Sequence, residues 1–508
     1  MIHDPFAPIA NGAALPLAEV PSLPFSEFQA AIAKACGEGH RLICLCVAQD
    51  RSGYVVLGCH DGPMLWVART LFPETAFPSL TPKCPEAHLF EREIAEQRGL
   101  RPEHHPWLKP VRFHHAWGTT LDAWGRPAGA AIDPGVVPFY RVEGSQVHEV
   151  AVGPVHAGVI EPGHFRFQCH GETVFHLEIC LGYQHRGIER ALAGGPHKLT
   201  LKHMETLAGD TTIGHTWAHC LAMEALAGQD VPVRASLLRA VALELERLAN
   251  HTGDLGAMAG DVGFLPTASY CGRLRGDWLN MTAVLCGSRL GRDLVRPGGV
   301  GFDVDGPRLR ELQARLEAAA RDTANAVELM FDTPSVLARM EGTGRVAPVH
   351  AEDMGLVGPP ARACGFKRDV RRDHPFGPYQ EAPPTLALDE MGDVAARARV
   401  RWLEIQASVA FLHWAFATLA TLPPGALAAP PQPKLPASHL ALGLVEGWRG
   451  EIVHLAVTDS EGRFGLYKVV DPSFHNWFGL AMALRGEEIS DFPLCNKSFN
   501  LSYCGFDL

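Results

Sequence analysis

The densest run of side chains that could do chemistry is the segment LGYQHRGIER, Leu181 to Arg190. It places His185, Arg186, Glu189 and Arg190 directly after an apolar stretch that predicts a β-strand. Polar groups that follow a strand often line a binding site or a contact with another subunit. Taken alone, this run indicates a site but neither a reaction nor a ligand.

Two other sets of titratable side chains have structural explanations. Glu244, Arg247 and His251 share one side of a predicted helix, where an ion-pair stripe is favoured over a functional site. Two His-His pairs lie in the Pro-rich segment 104–115 without a cysteine or carboxylate at ligand spacing. A loop is therefore favoured over a metal site for that segment.

Composition excludes several classes of protein. The net charge of -11 argues against a nucleic-acid binder, which needs a basic face to neutralise phosphates. No nucleotide-binding fingerprint, GxSxG elbow or HExxH helix is present. Thirteen cysteines without a CxxC pair suit a reducing cytoplasm, and the first residues do not resemble a signal peptide. The longest uncharged stretch, Ile405–Pro433, is interrupted by Pro423-Pro424 and predicts a buried helix rather than a membrane span.

The first ~130 residues have mixed α+β patterns. Periodicity predicts helices over Phe25–Cys36 and Ala87–Gln97, with strands over Arg41–Ala48 and Gly53–Cys59 between them. The Gly/Pro/His-rich segment Arg101–Gly135 predicts a loop or linker.

From Val150 onwards helical patterns dominate. Phe165–Cys180 predicts a β-hairpin around a His170-Gly171 turn. The remaining predicted elements are helices over Leu199–Leu226, Ala268–Leu290, Pro307–Met330 and Ala395–Leu422, and strands over Glu451–Thr458 and Arg463–Val470. The fold class is therefore α+β, with a small α+β N-terminal domain fused to a mainly helical domain that carries small β elements.

Five segments together resemble a known family. LGYQHRGIERAL is similar to the LGYxHRGxE segment of the large hydrophilic subunit of respiratory complex I and of energy-converting NiFe hydrogenases. The other segments that resemble this family, in its own order, are Leu243–Phe264, Val295–Val300, Arg362–Tyr379 and Arg449–Phe474. The resemblance covers nearly all of residues 150–508.

The N-terminal part adds to this resemblance. His88–Phe113 is similar to the end of the smaller, 30 kDa-like hydrophilic subunit of complex I. In formate-hydrogenlyase-type hydrogenases the two subunits are fused in this order. The resemblance therefore implies a 30 kDa-like domain over 1–135, a linker over 136–150 and a 49 kDa-like, hydrogenase-large-subunit-like domain over 151–508.

The departures from the family bear on the chemistry. A NiFe hydrogenase of this kind holds its metals on a CGxC pair and a DPCxxC pair, because soft thiolates suit nickel and iron. The aligned positions here are Ala208 and Thr211 for the first pair and Ser502 and Gly505 for the second. Cys504 and Cys495 lie nearby but restore no ligand set. The resemblance thus implies no NiFe centre and no metal or cofactor held by this chain.

Complex I lacks the same ligands and binds a quinone headgroup in the vacated cavity. By resemblance, such a cavity here lies between the loop Gly153–Phe165, with His156 and Glu161, and the helix that starts near Leu199. His197 takes the place of a complex I tyrosine, although the complex I loop histidine aligns near Pro162. Plain structural hydrogen bonding is an equal alternative for His156 and His197.

His185 and Arg186 would lie near an iron–sulfur cluster of a partner, where the fixed charge of Arg186 would raise the cluster's potential. The resemblance implies a small subunit with a 4Fe-4S cluster, antiporter-like membrane subunits, and a peripheral place on the cytoplasmic face of the inner membrane. The implied function is NADH:quinone oxidoreductase-like electron transfer to quinone or another acceptor, coupled to ion translocation. A redox-silent scaffold or coupling subunit is the alternative, and a working hydrogenase with unusual ligands is a third.

Overall fold

A computed structural model describes residues 5–59, 62–158, 160–430 and 434–508. Its architecture is α+β. The first elements along the chain are β1 (Ala7–Ile9), β2 (Ala14–Pro16), β3 (Ser22–Leu23), α1 (Phe25–Gly37), β4 (Arg41–Val47), β5 (Ser52–Gly58), β6 (Leu65–Leu71), β7 (Ala76–Pro78), α2 (His88–Arg98) and β8 (Arg101–Glu103). The two predicted helices and two predicted strands of this region are present within one or two residues of their predicted bounds.

The N-terminal sheet has the strand order β1-β6-β5-β4, with β3 added in parallel to β6. Helix α1 buries Phe28, Ile32 and Ala35, which recur at helical spacing on one face. Strand β4 is buried along almost its whole length because both of its faces are covered. This packing explains the continuous apolar run RLICLCV.

The middle of the chain begins with a three-stranded sheet in the order β11-β10-β9 and continues into long helices. Its elements are β9 (Val147–Val152), β10 (His164–His170), β11 (Thr173–Cys180), α3 (Ile188–Leu192), α4 (Thr200–Met204), α5 (Thr212–Ala227), α6 (Val233–Asp261), α7 (Leu265–Cys286), β12 (Val295–Arg296) and β13 (Gly299–Val300). The predicted hairpin is β10–β11. Strand β9 begins inside the predicted linker 136–150, and the proposed division into domains stays a prediction.

Helix α6 is the centre of a bundle with α7 and α13, and α8 packs against α7 and α13. The last elements are α8 (Gly306–Phe331), α9 (Pro334–Met340), α10 (Pro348–Asp353), α11 (Gly358–Arg362), α12 (Val370–Asp373), α13 (Val394–Thr421), β14 (His439–Gly447), β15 (Gly450–Thr458), β16 (Phe464–Val470), α14 (Pro472–Ala483), α15 (Phe492–Phe499) and α16 (Tyr503–Phe506).

The C-terminal sheet has the order β16-β15-β14-β2, so the N-terminal region contributes its edge strand. Leu15 of β2 pairs with Leu440 of β14. Helix α5 packs closely against β14 at Gly443. A Cβ on Gly443 would stand 2.0 Å from the carbonyl oxygen of Ala218 on α5. Only a glycine allows this approach, which brings α5 against β14 and β15.

The helix predicted over Leu199–Leu226 is wrong in one respect, because it is interrupted. Residues 205–211, which we call the proximal loop, separate α4 from α5. Asp210 adopts a left-handed φ of 56°, which ends helical geometry. The carbonyls of Gly209 and Asp210 accept hydrogen bonds from the side chains of Arg449 and Trp448 instead of from a helical backbone.

Helix α13 is the one helix among the described residues that is long and apolar enough to cross a membrane. Half of its most apolar window is buried inside the protein, and it packs against α6 and α8. Its first half also buries Arg397, Arg401 and Glu404. These contacts are those of a core helix, as predicted. The end of the predicted stretch, residues 431–433, lies outside the described residues.

Candidate functional site

The proximal loop meets a second segment, residues 500–505, which we call the C-terminal segment. Arg449, in the turn between β14 and β15, joins them. Its Nη1 donates to the carbonyl of Gly209 at 2.8 Å and to Thr211 Oγ1 at 3.1 Å, while its Nε donates to the carbonyl of Asn500 at 2.7 Å. The guanidinium of Arg449 therefore crosses the space between the two segments that the resemblance aligns with the metal-ligand segments of hydrogenases.

The four positions that the resemblance aligns with metal ligands, called here the former ligand positions, are occupied by residues that pack within the protein. Thr211 Oγ1 also accepts from Trp448 Nε1 at 3.1 Å. Ser502 caps α16, because its Oγ accepts from the backbone N–H of Gly505 at 2.9 Å. Ala208 is buried. A Cβ at Gly505 would lie 2.7 Å from the carboxyl carbon of Asp471, so this position has no room for a side chain.

Two of the predicted site residues flank these segments. Arg186 donates from both terminal nitrogens to the carbonyls of Thr206 and Leu207, each at 2.9 Å, and its side chain stays exposed. Glu161 accepts from the backbone N–H of Tyr503 at 3.3 Å. The structure thus brings Arg186 to the proximal loop and Glu161 to the C-terminal segment.

His156 and His197 make local contacts. His156 Nε2 lies 2.8 Å from the carbonyl of Gly163, within the same loop. His197 is exposed, and its Nε2 lies 3.0 Å from the carbonyl of Ala193. Neither hydrogen bond reaches the proximal loop or the C-terminal segment. The structural alternative therefore accounts for both contacts.

His185 contacts the end of the chain. Its Nδ1 lies 3.2 Å from the carbonyl of Asp507, and its ring stacks on His114 with 4.6 Å between centroids. Burial lowers the pKa of His185 to about 4. At neutral pH His185 is therefore uncharged, and Arg186 supplies the positive charge of this segment.

Sequence reasoning missed a buried chain of four hydrogen bonds beside the former metal position. His215 Nε2 lies 2.9 Å from Asp471 Oδ2, and His215 Nδ1 lies 3.1 Å from His454 Nε2. Tyr467 Oη lies 2.9 Å from His454 Nδ1 and 2.7 Å from His219 Nδ1. The i, i+4 spacing of His215 and His219 on α5 is the one local signal that could have indicated it.

Known proteins similar to this chain point to one family. The family model described as "Respiratory-chain NADH dehydrogenase, 49 Kd subunit" matches residues 261–438. "Formate hydrogenlyase subunit 5" of Escherichia coli is 29% identical over 464 residues, which cover 89% of this chain and 80% of that protein. "NADH-quinone oxidoreductase subunit 4" of Thermus thermophilus is 30% identical over 374 residues, which cover 68% of this chain and 90% of that protein.

The chain belongs to the large-subunit family of energy-converting hydrogenases and complex I. A solved structure, the membrane-bound sulfane sulfur reductase (MBS), an archaeal respiratory membrane complex, shares its fold. The match has a TM-score of 0.67 at 22% identity and covers 73% of this chain and 100% of the matched chain. The relatives are subunits of membrane-bound complexes, which agrees with a peripheral oxidoreductase subunit.

In this large-subunit family, a NiFe centre needs four thiolates, and the local donor set does not fit one. Cys504 is the one cysteine in the C-terminal segment, and burial raises its pKa. Cys495 is also buried, which raises its pKa to about 12. Both thiols are therefore protonated near neutral pH. Ala208, Thr211, Ser502 and Gly505 offer no sulfur at all.

Another group of possible donors lies far from this site in the chain. Cys36, Cys84 and Glu86 form the His/Cys/Asp/Glu group that could hold an ion among the described residues, with 2.8 Å between the two sulfurs. Three donors are fewer than the four of a closed structural zinc site. This group belongs to the N-terminal region.

The protonation of the buried chain follows from its surroundings. Burial lowers the pKa of His219 to about 3 and that of His454 well below its ordinary value. Burial by itself would raise the pKa of Asp471, but the hydrogen bond from His215 and the charge of Arg449 bring it below its ordinary value. At neutral pH the chain therefore ends in an ionised Asp471, while His219 and His454 are neutral.

An apolar cavity of about 460 Å³ lies behind the C-terminal segment, between the N-terminal region and α14. Phe506 and Trp477 line it from the C-terminal side, and Trp107 and His88 from the N-terminal side. None of the five predicted cofactor-binding residues is among its described lining residues. This apolar cavity is therefore not the predicted quinone-like cavity.

Proposed function

We propose that this chain is the peripheral large subunit of a complex I-like membrane oxidoreductase that passes electrons to quinone or another acceptor beside the former metal position. The electrons would come from a 4Fe-4S cluster in a partner small subunit, on the cytoplasmic face of the inner membrane. Antiporter-like membrane subunits would couple the transfer to ion movement. The observation that carries this proposal is that none of the four positions aligned with metal-ligating thiols is open: the Thr211 and Ser502 side chains are hydrogen-bonded, Ala208 is buried, and Gly505 has no room for a side chain.

The donor set supports electron transfer without hydrogen activation. A NiFe centre would need thiolates where the chain has Ala208, Thr211, Ser502 and Gly505. The two nearby thiols are buried and protonated. We therefore assign no metal or tightly held cofactor to this chain, and quinone remains a transient ligand in the proposal.

The fusion of a 30 kDa-like domain to the large subunit belongs to this proposal. The match to formate hydrogenlyase subunit 5 covers 89% of 508 residues, about 452, whereas residues 151–508 number only 358. The similarity therefore extends well into the N-terminal region. The pairing of β2 with β14 supports a fusion in which the two parts share one sheet.

Arg186 supports the proposed contact with the cluster. Its guanidinium is exposed and held in place by two backbone carbonyls, so it presents a fixed positive charge. A positive charge near an iron–sulfur cluster favours the reduced cluster and raises its potential. The proximal loop and Arg186 thus form one surface on which a small subunit could deliver electrons.

The test is made on the purified complex. We expect nickel far below one atom per chain and an iron–sulfur signal from the partner that is lost when decylubiquinone is added to the reduced complex. Arg186→Gln should lower the midpoint potential of that cluster, while Arg190→Gln, an exposed neighbour on α3, should leave it unchanged. One nickel per chain together with hydrogen evolution would overturn the proposal.

A second candidate is a redox-silent scaffold that transmits conformational change to ion-translocating subunits. It is favoured by the position of Arg449, which fills the gap between the proximal loop and the C-terminal segment with three hydrogen bonds. A partner subunit without cluster-ligating cysteines, or a reduced cluster that quinone does not reoxidise, would support this candidate instead.

A further inference from the structure

The hydrogen-bonded chain described above runs from the former metal position into the core between α5 and the C-terminal sheet. Asp471 lies at the end next to Gly505, since a Cβ built on Gly505 would stand 2.7 Å from its carboxyl carbon. His219 lies at the other end, on the second turn of α5. Its links are His215, His454 and Tyr467, and all four hydrogen bonds measure 2.7–3.1 Å. All five side chains are buried.

The donors and acceptors of this hydrogen-bonded chain can all be paired when every N–H or O–H group donates in the direction of Asp471. Neutral imidazole has one N–H donor and one acceptor nitrogen, and a phenol donates once while also accepting. If Asp471 is ionised, His215 donates Nε2–H to it and accepts at Nδ1 from His454. His454 then accepts at Nδ1 from Tyr467, whose oxygen accepts Nδ1–H from His219. In this first state the Nε2 of His219 carries no proton.

The same atoms permit a second state in which every hydrogen bond is reversed. Asp471 is then protonated and donates to His215 Nε2, His215 donates Nδ1–H to His454, and His454 donates Nδ1–H to Tyr467. The hydroxyl of Tyr467 donates to His219 Nδ1, and His219 carries its proton on Nε2. The second state holds one proton more than the first, and each proton has moved across one hydrogen bond.

Neither state contains an imidazolium. This matters because the burial of His219 and of His454 lowers the pKa of each ring and so opposes a positive charge there. Among the described residues outside the chain, the charge of Arg449 acts on Asp471. Besides His215, the carboxylate of Asp471 accepts a hydrogen bond from the backbone N–H of Ser473 at 2.8 Å. A chain that changes its proton content without a charged ring suits this environment.

We propose that His219, Tyr467, His454 and His215 form a one-proton relay that presents a proton on Asp471 to the acceptor reduced beside Gly505. The identity of the acceptor rests on the proposed function. For a quinone, two electrons from the partner's cluster and two protons give the quinol. The relay supplies one of the protons: the Asp471 O–H bond breaks, a quinone O–H bond forms, and Asp471 returns to its ionised state. Solvent water supplies the other proton of the quinol and the proton that recharges the relay at His219 Nε2.

The first test needs no knowledge of the acceptor. The full chain is labelled with ¹⁵N-histidine, and His219→Gln and His454→Gln variants assign the two signals among the 25 histidines. At neutral pH we expect His219 to be protonated on Nδ1 and His454 on Nε2. A doubly protonated ring at either position, or mixed tautomers at both, would overturn the relay.

The second test breaks the chain in its middle in the purified complex. Tyr467→Phe removes the hydroxyl that links His454 to His219, and we expect turnover with decylubiquinone to fall about 100-fold or more at unchanged KM. Tyr54→Phe is the matched control, because Tyr54 is also a buried strand tyrosine but lies outside the chain. A normal rate for Tyr467→Phe would overturn the relay.

The two tests separate this inference from the proposed function. If the wild-type complex does not reduce quinone, the proposed acceptor is wrong, while the tautomers of His219 and His454 still decide whether the chain has the polarity of a relay. If the tautomers are as expected and only Tyr467→Phe slows quinone reduction, both stand. If quinone reduction is normal in Tyr467→Phe, the relay alone fails.

Discussion

Two clusters of buried polar side chains in this protein are stabilised in opposite ways. The ionic cluster, centred on Glu404 of α13, keeps its charges and pairs them. The relay chain, centred on His454, keeps two of its rings neutral and carries one carboxylate charge at its end. Paired charges fix a geometry, whereas a neutral hydrogen-bonded chain can change its proton content. The difference separates a structural device from a candidate functional one.

The contacts of the ionic cluster decide between a structural and a functional interpretation of Glu244, Arg247 and His251 on α6. Glu404 accepts hydrogen bonds from Arg247, from His251 at 2.8 Å and from Arg362 Nε at 2.9 Å. Glu244 pairs with Arg371 at 3.1 Å. The side chains of these ion pairs are at most 1% exposed. The stripe is therefore a set of structural ion pairs in the core and not on the surface.

The largest expected effect comes from breaking the ionic cluster. Glu404→Gln removes the carboxylate that Arg247 and Arg362 share, so each buried guanidinium loses one of its two carboxylate partners, and the free energy of unfolding should fall by about 3–5 kcal/mol. Urea unfolding measures it. The matched control is Glu311→Gln, whose exposed pair with Arg315 should contribute at most about 0.5 kcal/mol. A loss of less than about 1 kcal/mol for Glu404→Gln would show that the ionic cluster contributes little to the stability of the fold.

The next prediction concerns how the free energy of unfolding depends on pH. Glu246 of α6 accepts the backbone N–H groups of Ile213 at 2.7 Å and Gly214 at 3.2 Å, at the start of α5. Burial raises the pKa of Glu246 to about 8. The folded protein therefore binds a proton more tightly than the unfolded chain, so this group's contribution to stability falls as pH rises between about 4.5 and 8.

The measurement compares urea unfolding of wild type and Glu246→Gln at several pH values. Since the glutamine cannot ionise, the stability of the variant relative to wild type should rise with pH, by up to about 1.4 kcal/mol per pH unit in the middle of that window. A relative stability that does not change with pH would show that Glu246 is already ionised in the fold.

The smallest expected effect tests how closely the relay end is packed. Gly505→Ala places a methyl group 2.7 Å from the carboxyl carbon of Asp471, and overpacking of this kind should cost about 1–3 kcal/mol. Gly209→Ala in the proximal loop meets no atom within 4 Å and should be nearly neutral. Thermal unfolding of both variants measures the difference. Equal melting temperatures would show that the former ligand position is open rather than filled.

Local patterns sufficed to predict most elements. The helices α1 and α8 and the hairpin β10–β11 follow from side-chain periodicity, which acts over a few residues. The resemblance of five segments to the large-subunit family was also a property of the sequence, and relatives of known name confirmed it. The replacement of the ligand cysteines could likewise be read from four aligned positions.

Tertiary structure decided what fills the site. The break between α4 and α5 depends on Trp448 and Arg449, which lie more than 230 positions away in the chain. His215 and His454 are separated by 239 positions, and β2 meets β14 across more than 400. Periodicity carries no information about such pairs, because it reports which face of an element is buried and not which distant side chain lies against it.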